Sequence, residues 1–361
     1  MKHPHTRLNI IMLLLAVAFR TRLSQAFTTT TPSLFPRSHK SSRSIHQTVA
    51  LKLNRFLFDP SEIDPESATS DNPTVTLPKE DYRTVHAAKI LGLLNGDTLR
   101  AGIILDGDIN NSTSRPSIQA QESPYAGLIT DEASVQWLPE GKIKKAEPTK
   151  NGEPPGSLQI TLHSLTPIAD EMADIRPRIS LILALPRPLA LGRLLPMIAQ
   201  MGVQDLVLTQ TQKVPKEYFG SHLFRKPEEI RKALIEGLCQ AADVQIPTVT
   251  VVKRLKPFVE DDLEDMFPKN EWARVIAHPQ RKDGIPALRM GQISFPENVS
   301  GDQKKIVLAV GPEGGWAEPF ELDMFRDHGF QQVTLGSRIL RSDVAVISLL
   351  SLASDVCSSE D

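Results

Sequence analysis

A nearly unbroken apolar run, Ile179–Leu185 (ISLILAL), constrains the fold more than any other segment. A strand with one face in water alternates apolar and polar residues, and this one does not. It therefore predicts a strand covered on both faces, as in the middle of a parallel sheet. The chain after Pro167 keeps to that plan. Leu189–Met201 has helical periodicity and stops at Gly202, and Val203–Leu208 predicts a strand. Pro227–Ala242 predicts a helix with acids in its first turn, and Thr248–Val252, Ala273–Ala277 and Ile306–Val310 predict further strands. Glu318–His328 predicts a helix ended by Gly329, Gln332–Leu335 a strand, and Ser342–Ser354 a last helix. Strands alternating with helices imply an α/β fold built on a parallel sheet.

The preceding stretch, Leu51–Thr166, is patterned differently. Asn54–Phe58 predicts a strand, Leu77–Asp81 opens a short helix containing His86, Ala87, Ile90 and Leu91, and Asn95-Gly96-Asp97 is a turn before the strand Thr98–Leu105. Asn110–Ser123 and Lys142–Pro155 are rich in Ser, Pro, Gly and charge and predict loops. Short strands with such turns suggest a small β-barrel. With 361 residues the chain has room for both parts and a tail.

The tail is the N-terminus. Lys2 and Arg7 precede a short apolar core, Asn9–Phe19, and Ser24-Gln25-Ala26 offers small residues for cleavage, the pattern of a secretory signal peptide. The core falls short of the roughly 20 residues a bilayer span needs. Phe27–Thr48 follows, rich in Ser, Thr and Arg and without acids. A signal peptide followed at once by such a stretch resembles the two-part leader of plastids reached through the secretory route; a mitochondrial address and ordinary secretion are the alternatives. Residues 1–49 hold seven Lys/Arg and no acids, which leaves 34 basic against 43 acidic residues in the rest. That balance excludes a protein that coats nucleic acid through bulk charge, but not one with a local basic cleft. The two cysteines, Cys239 and Cys357, exclude a disulfide framework, and the nine histidines lack metal-ligand spacing.

Two glycine-bearing corners carry the chemistry. Val310-Gly311-Pro312-Glu313-Gly314-Gly315-Trp316 follows a strand directly and precedes a helix. Its backbone can turn sharply and approach a flat ligand, because few side chains intervene. It lies where open α/β sheets bind ligands, yet it matches neither a P-loop nor a dinucleotide fingerprint. A plain strand–turn–helix corner is the alternative. Leu335-Gly336-Ser337-Arg338-Ile339-Leu340-Arg341-Ser342-Asp343 also follows a strand and enters a helix. Ser342 suits the cap of that helix and Asp343 its positive end. Arg338 and Arg341 do not suit that end unless an anion approaches, which implies a phosphate or carboxylate partner.

GPEGG after a strand, then a helix, a strand, LGSRILRS and a terminal helix resembles the RsmE-type family of SPOUT methyltransferases, which methylate N3 of a uridine in small-subunit ribosomal RNA. Leu183–Gly202, Gly237–Pro247 and Ala277-His278-Pro279 resemble its upstream elements, and Asn54-Arg55-Phe56 with Asp81, His86 and Gly96-Asp97 its N-terminal PUA-like barrel. The resemblance implies a leader over 1–49, a PUA-like RNA-binding barrel over 50–168 and a trefoil-knotted α/β SPOUT domain over 176–357. It implies S-adenosyl-L-methionine as cofactor, with Leu308, Gly311, Pro312, Glu313, Gly314, Gly315, Leu335, Gly336, Arg338, Ile339 and Leu340 at its site, and no metal. It also implies small-subunit ribosomal RNA as partner, a homodimer whose active sites are completed at the interface, and no stable membrane association once the leader is removed.

Arg341 is then the candidate to stabilise a uridine anion or to anchor a phosphate. Asp343 is a candidate base or a helix cap, and Arg187 a phosphate contact or a solvated loop charge. Val344, Val346, Ile347, Leu349 and Leu350 belong to the interface or to the core. The chain departs from the family at Ser342-Asp343-Val344, where a threonine, a glutamate and a threonine or alanine are usual. Lysines are missing at Ala190 and Met197, and an arginine across Ala242–Gln245. The alternatives are a SPOUT methyltransferase acting on another RNA and a non-catalytic RNA-binding or ribosome-assembly protein. Deleting residues 1–49 is expected to leave a soluble, active protein; an aggregated product on size-exclusion chromatography contradicts the leader.

Overall fold

The structure, a computed structural model, describes residues 55–105, 109–111, 123–141, 146–168, 178–279, 284 and 286–358. The leader, residues 112–122 and 142–145 of the two expected loops, and the passage 169–177 lie outside them.

The chain opens with β1 (Arg55–Phe58), β2 (Thr74–Leu77), helix α1 (Tyr82–His86), β3 (Thr98–Ile103), β4 (Ile109–Asn111), β5 (Leu128–Pro139), β6 (Gly156–Thr161) and β7 (Thr166–Pro167). Six of these strands form one curled sheet in the order β1-β3-β5-β6-β2, with β7 on β5. Asp81 caps α1 by accepting the Arg83 N–H at 2.8 Å, as its type and position predict. The helix runs on as a wide turn, Ala87–Leu91, and ends at Gly92, whose φ of 61° favours glycine. The inward residues of β6 alternate with outward ones and pack with Phe58, Leu93 and Trp137. Trp137 Nε1 donates to Leu93 O at 2.9 Å, so the indole is buried without an orphaned donor.

The second sheet adds β8 (Arg178–Ala184), β9 (Val203–Thr209), β10 (Thr248–Val252), β11 (Ala273–Ala277), β12 (Lys305–Val310) and β13 (Gln331–Val333). Its order is β13-β11-β12-β8-β9-β10-β4, and every pair is parallel. Six of the seven residues of β8 are buried, as an apolar run without alternation requires. Helices α2 (Pro188–Gln200), α3 (Pro227–Ala241), α4 (Phe320–Asp327) and α5 (Ser342–Ser358) accompany it. Pro188 starts α2 where a missing N–H costs nothing, and Gly202 follows its end at φ 70°.

Two expectations change. Helix α4 starts at Phe320 rather than Glu318, because Trp316 is buried in the preceding loop and the Ala317 N–H is taken by the Glu321 side chain. The segment Asn110–Ser123, expected as loop, begins inside β4, which pairs with β10. Main-chain pairing at a sheet edge is indifferent to the poor strand propensity of two asparagines.

Strand β4 is one of several ties between the two sheets. Leu105 N–H donates to Val244 O at 2.9 Å and Leu105 O accepts from Ile246 N–H at 3.0 Å. Arg231 of α3 meets Asp59 at 2.8 Å. Burial pushes the Asp59 carboxyl up, but its bonds to Ser61 and the Arg231 cation outweigh this and hold it below the usual range. Leu57, Ile104, Ile129 and Ile168 join the main core.

Helices α2 and α3 pack tightly at Gly237, where a β-carbon would lie 2.1 Å from Pro196 O. Gly237→Ala would stabilise an open helix by about 1 kcal/mol. Here it is expected to destabilise by about 1–3 kcal/mol in urea titration, since neighbouring backbone must shift; a stabilised variant contradicts this packing.

Candidate functional site

Because the second sheet is parallel, the carboxyl ends of β8 to β13 share one edge, the edge at which open α/β sheets bind ligands. The first corner, Gly311–Pro319, leaves β12 and the second, Thr334–Arg341, leaves β13. These two strands are not neighbours: β11 lies between them.

The short passage after β11 bridges them. The His278 N–H donates to Val333 O at 3.1 Å, at the root of the second corner. His278 Nε2 donates to Glu318 Oε1 at 3.1 Å, in the first. Trp316 Nε1 donates to Ala277 O at 3.1 Å, and Gln332 Nε2 to Pro279 O at 2.9 Å. The His278 ring is buried, its Nδ1 has no partner, and a β-carbon on Gly315 would sit 3.7 Å from its Cε1.

The first corner is held from outside. Gly315, at φ 66°, donates its N–H to Pro312 O at 2.8 Å, closing a tight turn. Lys213, just beyond β9, donates to Gly314 O at 2.8 Å and Trp316 O at 3.0 Å. The buried Glu321 carboxylate accepts the Gln212 N–H on one oxygen and the Ala317 N–H on the other, both at 2.7 Å. Trp316 stacks edge-on against Phe325 with centroids 4.8 Å apart. Lys213 and Glu321 carried no signal in the sequence. A lone lysine in a polar stretch and an acid in a first helical turn both have ordinary explanations.

In the second corner Gly336 has φ 116°, and its hydrogen-bearing face lies toward Arg289. Leu335 is partly buried; Arg338, Leu340 and Ile339, the last at 93% exposure, face solvent. Arg338 has no partner among the described residues. Arg341, 75% exposed, pairs with Asp343 at 2.9 Å. One carboxylate of the chain thus meets Arg341 and leaves most of its guanidinium open. Ser342 is the first residue of α5 and buried, so it is not the cap outside the helix, and Asp343 accepts the Val344 N–H at 2.9 Å.

The remaining candidates divide. Leu308 lies inside β12 and is wholly buried in the main core. Pro312 is buried, while Glu313 and Gly314 are exposed. Arg187 is exposed at the start of α2, on the same edge as the corners. In α5, Val346, Leu349 and Leu350 are core, Ile347 packs against it, and Val344 remains 49% exposed. Among the described residues no group of three or more His, Cys, Asp or Glu is placed to hold a metal ion. A cavity of about 480 Å3 opens at the carboxyl ends of β9 and β10, lined in part by Thr211, Gln212 and Glu321.

Comparison with known proteins adds a family. The profile of the RNA methyltransferase domain matches residues 174–354. A ribosomal RNA small subunit methyltransferase E from Treponema pallidum is 27% identical over 165 residues, which cover 46% of this chain and 57% of that protein. Its namesake from Synechocystis is 25% identical over 179 residues, covering 43% and 55%. The chain thus spans little more than half the length of these curated relatives. Among solved structures, a ribosomal RNA small subunit methyltransferase E from Neisseria gonorrhoeae, bound to S-adenosyl methionine, superimposes with a TM-score of 0.53 at 19% identity, over 84% of this chain and 98% of that one. A probable rRNA-methyltransferase from Porphyromonas gingivalis gives 0.54 at 17%, over 85% and 99%. At such identities the likeness is one of fold.

Lys213→Met removes both hydrogen bonds that reach the first corner from β9. Amide exchange at Gly314–Ala317 is expected to accelerate about tenfold or more, since such bonds to a charged donor contribute about 1.5–3 kcal/mol each when well formed. Unchanged exchange removes Lys213 from the bracing.

Proposed function

This chain belongs to the RNA methyltransferase family, and from that premise we propose that it methylates N3 of a uridine in small-subunit ribosomal RNA, using S-adenosyl-L-methionine. The observation that carries the reading is the bridging of the two glycine corners through His278 at the carboxyl edge of the parallel sheet. The residues there fit the cofactor. The unpartnered His278 Nδ1 beside Gly315 offers a polar contact, and Ile339 and Leu340 offer uncovered apolar surface to a flat purine. Gly311–Gly315 and Leu335–Leu340 would hold the cofactor through backbone groups. Leu308 would support the strand beneath them.

When bound, S-adenosylmethionine supplies an electrophilic methyl carbon on a sulfonium. The chain's part is then mainly to align the uridine, and alignment of this kind supplies roughly 7–11 kcal/mol. Uridine N3 carries a proton at neutral pH, so that proton must pass to water and the anion it leaves must be stabilised. Arg341 presents an exposed guanidinium with donors to spare after pairing with Asp343. We assign Arg341 to the uridine anion or a neighbouring phosphate. Asp343, engaged by Arg341 and the Val344 N–H, is a positioning residue rather than the base. Arg187, exposed on the same edge, is a further phosphate contact.

The same reading makes the chain's passage around the two corners a trefoil knot and the first sheet a PUA-like RNA-binding module. The exposed Ile339, Leu340 and Val344 support a homodimer completed at this edge. The compartment proposed is the plastid, on the strength of the acid-free leader.

Mapping N3-methyluridine in plastid small-subunit rRNA with and without the protein tests the reaction, and calorimetry with S-adenosylmethionine tests the cofactor. A protein without affinity for the cofactor is a non-catalytic RNA-binding one. Arg341→Ala is expected to cut the methylation rate about a hundredfold while leaving cofactor affinity unchanged. Equal loss in both contradicts its role.

A further inference from the structure

We propose that the cavity beside the first corner is a second RNA subsite, which holds a ribose-phosphate unit flanking the target nucleotide. The proposal rests on the RNA methyltransferase reading above and adds a location that the two glycine corners do not supply. The cavity, about 480 Å3, lies at the carboxyl ends of β9 and β10. That is within the range of sites that enclose a small molecule or a nucleotide-sized unit. It adjoins the first corner, because Gln212 of its lining donates to Glu321, whose other oxygen holds Ala317, and the next residue in the chain, Lys213, holds Gly314 and Trp316.

Three features of the lining point to a polar, anionic ligand. Thr211 is 5% exposed, yet its Oγ1 has no hydrogen-bond partner. Buried hydroxyls are nearly always paired, so this one is completed by a group that enters the cavity. Arg254, exposed on the wall, makes no ion pair among the described residues. Lys256, also on the wall, is held only loosely by Glu260 at 3.6 Å and remains largely exposed. A phosphate between Arg254 and Lys256 satisfies both cations.

The two carboxylates in the lining do not oppose this. Both oxygens of Glu321 accept backbone N–H groups, whose dipoles stabilise its charge and hold the carboxylate where it lies. Glu260 is an acceptor beside the phosphate position, where a ribose 2′-hydroxyl donates, the contact that separates RNA from DNA. A local wall of this kind also suits a chain whose residues after the leader carry more acids than bases.

The test is fluorescence anisotropy of the full chain with a labelled RNA hairpin of small-subunit rRNA sequence bearing a loop uridine, and with the DNA hairpin of the same sequence, across a salt series. The double variant Arg254→Ala/Lys256→Ala is expected to weaken RNA binding about tenfold or more and to flatten the slope of log affinity against log salt by about 1.4, roughly 0.7 per cation. Cofactor affinity in calorimetry stays unchanged. Thr211→Val, which keeps the side-chain shape, is expected to weaken RNA binding about three- to tenfold. Unchanged RNA affinity and salt slope in the double variant, with a wild type that binds both RNA and cofactor, overturns the subsite alone. Equal loss of cofactor affinity places these residues in the donor site and also overturns it. Equal wild-type affinity for the DNA hairpin overturns the ribose contact, and a wild type that binds the cofactor but no RNA overturns both this proposal and the RNA reading beneath it.

Discussion

The two hydrogen bonds that end on the Glu321 carboxylate, one from Gln212 and one from Ala317, set the shape of the site edge. A corner made largely of glycine has wide conformational freedom and few side chains with which to restrain itself. Its order must come from groups elsewhere in the chain. Glu321 holds Ala317, Lys213 holds Gly314 and Trp316, Ala277 accepts the Trp316 indole N–H, and His278 meets Glu318. The result is an edge in which the segments after β9, β11 and β12 are fastened to one another while Glu313 and Gly314 stay open to a ligand.

How much of this was legible in the sequence follows from the range of the forces involved. Strand β8 declared itself because burial on both faces leaves no room for polar residues, and Gly202 marked the end of a helix through local sterics. Both glycine corners were likewise visible as local chemistry. Their arrangement was not, since strand order places β11 between β12 and β13 and chain order does not state it. Lys213 lies 101 residues from Gly314, and Glu321 lies 109 from Gln212. No spacing pattern reports contacts at that separation. Strand β4 was hidden for another reason: backbone pairing alone defines it.

Arg341 has a partner that the electrostatic reading of the sequence did not pair with it. A cation beside a helix start does call for an anion. The nearest one was two residues away, in Asp343. An exposed pair of this kind contributes little stability, at most about 1 kcal/mol. Its effect is directional, since it limits the positions in which an arginine three-quarters exposed can wait. Much the same holds for α5 as a whole, whose Val346, Leu349 and Leu350 anchor it in the core and so fix where Val344 and the second corner emerge.

Strand β4 also has a protective role. The sequence of β10, Thr248–Val252 (TVTVV), is about as strand-prone as five residues can be. Left as the outermost strand it would present a row of unpaired amides to any passing chain, the usual seed of edge-to-edge aggregation. Ile109–Asn111 takes that place with a selvedge of three residues, too short to template much further growth. The N-terminal half thereby hems the sheet of the C-terminal half, and a fragment beginning at β8 would carry a raw margin that the intact chain never shows.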